Sequence, residues 1–137
     1  MRSLLLYVVF FVATALLPGG DYWGTLVVHP DSPYARKNVH VRVHPNKAHD
    51  KATITLYDIK FSRFMPVKLD IIIPDVKMSQ RGNTYILSGS DIVPLKGGEP
   101  YPSRKVSEIE GTLTQGTLNM SLTIGSAPIR YSGAAKK

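Results

Sequence analysis

Alternation of apolar and polar residues dominates the chain from Asp21 onward. In "NVHVRV" (38–43), followed by His44, the valines 39, 41 and 43 take one face of an extended strand. His40, Arg42 and His44 take the other, because successive strand side chains point to opposite sides. "TLNMSLTI" (117–124) alternates in the same way, with Leu118, Met120, Leu122 and Ile124 inward. "YWGTLVV" (22–28), "VKLDIII" (67–73), "VKMS" (76–79), "TYILS" (84–88), "KVSEIEGTLT" (105–114) and "PIRYS" (128–132) read as further strands. "ATITLYDIKF" (52–61) changes phase: Ile54 and Leu56 share one face, whereas Tyr57, Ile59 and Phe61 fall on the other. A bulge or sharp bend is expected there.

The punctuation agrees. "HPNKAHD", "SQRGN", "LKGGEPYP" and "TQG" supply the Gly, Pro, Asn and Asp that turns require. Many short, closely spaced strands predict an all-β antiparallel sandwich or barrel. Residues 89–104 are the weak zone, because Pro94, Pro100 and Pro102 interrupt any central strand. A short strand over 91–95 and an exposed loop are expected.

The opening stretch "MRSLLLYVVFFVATALLPGG" departs from this pattern. Arg2 precedes a continuous apolar run over 4–17, shorter than the about 20 residues needed to span a bilayer, and "ATA" (13–15) suits a signal peptidase. Residues 1–20 therefore read as a helical signal peptide and 21–137 as one barrel domain, exported to the periplasm or beyond. An uncleaved segment would be the protein's route to a membrane. With no cysteine in its 137 residues, the chain is not a lipoprotein and lacks disulfides, thiol nucleophiles and cysteine-bound metals. The 17 Lys and Arg against 10 Asp and Glu give a net charge of +7, or +6 without Arg2. In an exported protein with scattered cations, this favours an anionic envelope surface, or simple solubility, over nucleic acid.

Three of the four histidines lie within 38–50. At about 3.3 Å per strand residue, His40 and His44 stand about 13 Å apart, too far to share one metal ion. His29 opposite His40, or His44 near His49, would supply two ligands and no third. Glu108 and Glu110, about 6.6 Å apart on one strand face, read as a solvated edge rather than a glycosidase pair. No nucleophile elbow or phosphate-binding loop is present. The residues predict no enzyme, no cofactor and no metal site.

"DYWGTLVV", "ATITLYDIKFSRFMPVKLDIIIPDVKM", "YILSGS" and "GTLTQGTLNMSLTIGSAPIRYSG" follow one another in an order that resembles bacterial secreted calycin-like (lipocalin-like) β-barrel domains. The resemblance runs over 22–133 and implies an up-and-down barrel of about eight strands whose first and last strands pair. It also implies a small hydrophobic ligand inside the barrel and Arg130 stacked on Trp23. The lipocalin G-x-W is not matched, since Gly20 stands three residues before Trp23.

Two functions follow. In the first, the barrel binds a small hydrophobic or amphipathic, lipid-like ligand. Its interior would be lined by Val39, Val41, Ile54, Leu56, Leu69, Ile71, Leu118, Met120 and Leu122. In the second, the core is filled and the loops contact an envelope protein or an anionic surface. The candidate binding residues are Phe61, Phe64 and Met65 in "FSRFMP", Tyr101 between two prolines, and Met120 inside. Phe61, Phe64 and Met65 would either plug the barrel end or form its mouth.

Overall fold

A computed structural model describes residues 19–29, 34–61 and 64–135. The expected signal peptide over 1–20 falls almost entirely outside them. Strands β1 (Gly20–Val28), β2 (Tyr34–Pro45), β3 (Lys51–Ile59), β4 (Leu69–Arg81) and β5 (Thr84–Ile92) run as an antiparallel meander. Two short strands, β6 (Leu95–Lys96) and β7 (Glu99–Pro100), and a 3₁₀ turn (Pro102–Arg104) intervene. The meander resumes with β8 (Val106–Thr114), β9 (Thr117–Ile124) and β10 (Ala127–Ala135). β10 pairs with β1 and β3 with β4, so eight strands close an up-and-down barrel, as expected. Closure leaves no long unpaired edge.

The inward positions are those the alternation selects. Tyr22, Leu26 and Val28 of β1, the three valines of β2, and Leu118, Met120, Leu122 and Ile124 of β9 are all buried. They join one core, and no charged side chain among the described residues is buried with them. An eight-stranded barrel has an interior just wide enough for its own side chains. The expected lining residues all point into this core except Leu69, which is half-buried at its edge.

The phase change in β3 is a bulge, one of the two alternatives expected there. The β3–β4 register slips between Leu56 and Ile59, and Asp58 takes a left-handed φ of 53°. The extra residue restores the inward direction, so Ile59 and Phe61 rejoin the core. Tyr57 points outward.

The weak zone also differs from expectation. β5 continues to Ile92, held by β8 down to Val106, and no single strand spans 91–95. β6 instead pairs with the start of β4, Ile71 opposite Lys96, and turns through Gly97 and Gly98 into β7. That small hairpin fills the place beside β4 that β5 leaves when it crosses to β8. The barrel therefore has two unlike ends. One carries the short turns at 46–50, 82–83 and 115–116, with the start of β1 and the end of β10. The other carries the longer connections at 60–68 and 93–105 and the 125–126 turn.

Candidate functional site

The residues singled out from the sequence divide between the core and the loop end. Met120 is 4% exposed and faces the filled interior. Phe61 is equally buried, and its backbone N–H points to Met65 Sδ at 3.0 Å. Arg104 from the 3₁₀ turn holds its guanidinium 4.5 Å from the centre of the Phe61 ring. The Arg104 stem lies against Gly125, where an added Cβ would come within 3.2 Å of its Cδ. Phe61 follows β3 by two residues and Gly125 joins β9 to β10, so Arg104 touches both connections across the barrel end. Met65 and Tyr101 pack half-buried against the core, and Lys96 Nζ stands 5.1 Å over the Tyr101 ring. Phe61 is thus buried at this end and Met65 packs half-buried beside it. Phe64 alone of the set is held outward, 87% exposed.

Two features of the outer wall were not legible beforehand. The first is a trough of about 710 Å³ crossing five strands. Its floor is the backbone of Tyr131, Met120, Gly111 and Leu87, which face one another across successive strands. One bank is the row Thr25, Ser132, Asn119, Thr112 and Ile86; the other is Val27, Arg130, Ser121, Glu110 and Ser88. Five of these ten bank residues are Ser or Thr, and Ser132 Oγ donates to Asn119 Oδ1 at 2.7 Å. Glu110 and Arg130 supply the charges in this lining, on either side of Ser121.

The second is an aromatic ladder across β1, β2 and β3. The His40 ring lies between Trp23 and Tyr57, with ring centres 4.5 Å apart on each side. Asp21 Oδ1 accepts 2.8 Å hydrogen bonds from His40 Nε2 and Arg42 Nε. The Arg42 bond, then the His40 bond, holds the Asp21 carboxyl below the usual carboxylate range. A cleft of about 330 Å³ beside the ladder is lined by Arg36, Asn38, Asp58 and Lys68 as well.

This arrangement corrects two expectations. His29 is not opposite His40, whose partner is Trp23. Arg130 faces Val27, four residues along β1 from Trp23 and so about 13 Å away; the ring stacked on Trp23 is that of His40. His44 faces Thr53 on the outer wall, and His49 sits in the following turn. Among the described residues no three His, Asp or Glu side chains gather as metal ligands. Glu108 and Glu110 are exposed on β8, as a solvated face requires.

No known protein family and no curated protein matches the chain. Its fold does match a crystal structure from Bacteroides fragilis, of a protein named provisionally as an outer membrane protein. The TM-score is 0.63 at 18% identity, over 85% of this chain and 50% of the other. The chain thus spans about half of that protein, and the likeness is one of fold.

Proposed function

We propose that the chain is a non-enzymatic binding module of the cell envelope that works through the outside of a filled, calycin-like barrel. The carrying observation is the interior itself. Buried aliphatic and aromatic side chains from all eight strands meet there, and Arg104 lies over Phe61 at the loop end. A carrier of hydrophobic molecules needs room and an entrance, and this packing supports neither. The outer wall supports binding instead, since a trough with low, mostly uncharged banks can seat an extended segment of a protein partner. The Asp21–His40 pair resembles part of a catalytic triad, but the cleft beside it is lined by no serine, threonine or cysteine. Export and an envelope location fit the apolar leader and the name given to the Bacteroides fragilis protein.

The trough favours one second reading, a small amphipathic molecule lying on the wall rather than inside. Mass spectrometry of molecules released by denaturing the protein, purified from its exported compartment, separates these readings. A blank, repeated after incubation with a lipid extract, is the expected result. A stoichiometric molecule that survives Ser121→Arg but not Met120→Trp would place the ligand inside and overturn the proposal. One lost with Ser121→Arg alone would place it in the trough.

A further inference from the structure

Phe64, Val67 and Val93 are 87%, 57% and 39% exposed, the large hydrophobic side chains that the described surface leaves open. All three lie on the connections of one barrel end, 60–68 and 93–105. The same connections, within the described residues, carry Lys60, Lys68, Lys96, Arg104 and Lys105 against one acidic residue, Glu99. At the opposite end the turns carry Lys47 and Asp50, which balance. Three of the cations are held in place: Arg104 by the Phe61 ring, Lys96 by the Tyr101 ring and Lys105 by the Asp91 carboxylate at 3.2 Å.

We propose that this end docks on an anionic lipid surface, with Phe64 and Val67 entering the headgroup layer and the lysines meeting lipid phosphates. An isolated apolar side chain at the surface means little, but three at one end of a barrel, ringed by cations, match a negatively charged interface. A protein groove would need an apolar counterpart and would not select for the cations. Both Gly19 and Ala135 lie at the other end of the barrel.

The test is cosedimentation of the full chain with vesicles of phosphatidylcholine, with and without phosphatidylglycerol. The 4–17 run would bind either vesicle, so the comparison is between variants in the same chain. The expected result is stronger binding with phosphatidylglycerol and a loss of about tenfold or more in Phe64→Ser/Val67→Ser, from the apolar area withdrawn. Lys60→Gln/Lys68→Gln should lose about fivefold per charge, and less at high salt. Because Phe64 is outside the core, its substitution should leave the melting temperature unchanged. A second readout locates the contact: in a Trp23→Phe background, brominated lipid should quench a tryptophan introduced as Phe64→Trp. Unchanged binding in the Phe64→Ser/Val67→Ser variant, equal binding without phosphatidylglycerol, or no quenching at Phe64→Trp would each overturn the proposal. So would failure to bind any vesicle, which would return these side chains to a protein contact.

Discussion

The Tyr131 hydroxyl donates a 2.9 Å hydrogen bond to the Val39 carbonyl, joining β10 to β2 across the intervening β1. The phenol can make this crossing because Gly133 faces the same interior; a Cβ there would come within 2.5 Å of the Tyr131 Oη. Val39 lies where β2 bulges, as the β1–β2 register slips between Gly24 and Leu26 and Asn38 takes a φ of 59°. The hydroxyl therefore satisfies a carbonyl beside an irregular ladder, in a site whose burial pushes the Tyr131 phenol pKa well up.

Tyr131→Phe keeps the ring and strands that carbonyl, so it should cost about 1–3 kcal/mol in urea unfolding. Gly133→Ala should cost more, because the ring must leave its place. Equal stability of Tyr131→Phe and the parent would mean that water or another donor serves Val39.

Asp21 predicts a specific acid sensitivity. Its two hydrogen bonds depress the carboxyl pKa in the folded state, so the unfolded chain takes up the proton more readily. The stabilisation is then complete above the ordinary carboxylate pKa of about 4 and is lost as pH falls through the lowered folded value. Unfolding curves at descending pH should show this loss in the parent and a shallower one in Asp21→Asn. Added salt should shrink the difference, since the pair is partly exposed. His40→Phe, which keeps a ring between Trp23 and Tyr57, should retain the Trp23 near-ultraviolet signal that His40→Ala removes.

The barrel was legible because burial on one face imposes a period of two, which survives in Val39, Val41 and Val43 and in Leu118 to Ile124. The outer wall was not, because its features depend on register between strands distant in sequence. The parity of Trp23, His40 and Tyr57 does place each outside, but the pairing that stacks them appears only when β1 and β3 flank β2. The trough is harder still: its floor is backbone, and half of its bank residues are serines and threonines that read as ordinary solvated positions. At β3 the alternation broke visibly. A bulge turns the following residues back, so Ile59 and Phe61 end inside, where a simple bend would have put them outside.

Two of the bulges give a backbone test. Asn38 and Asp58 hold left-handed φ values of 59° and 53°, which β-carbons disfavour and glycine adopts freely. Asn38→Gly should be neutral or slightly stabilising in chemical denaturation, whereas Asn38→Ala should cost about 1 kcal/mol. Asp58→Ala should cost at least as much. Its left-handed backbone also presents the N–H to Asp70 Oδ1 at 2.8 Å and the carbonyl to Arg36. If both alanine variants were as stable as their glycine counterparts, the bulges would have relaxed and the register of β2 and β3 would be in doubt.

A filled interior makes the sharpest energetic claim. Met120 is buried in the barrel, while Ser121, the next residue, stands in the trough outside. In a close-packed core, Met120→Ala removes contacts on every side and leaves a cavity, so it should cost about 2–5 kcal/mol. In a barrel that keeps a ligand chamber, the same truncation would only enlarge existing space, and the loss would fall well below that range. Ser121→Ala should change stability by no more than about 0.5 kcal/mol, as exposed substitutions usually do. Measured together by urea unfolding, a large loss for Met120→Ala beside a negligible one for Ser121→Ala is the expected pair. A small loss at Met120 would mean that the interior holds space these buried side chains do not fill, and the search for a ligand would return to the inside of the barrel.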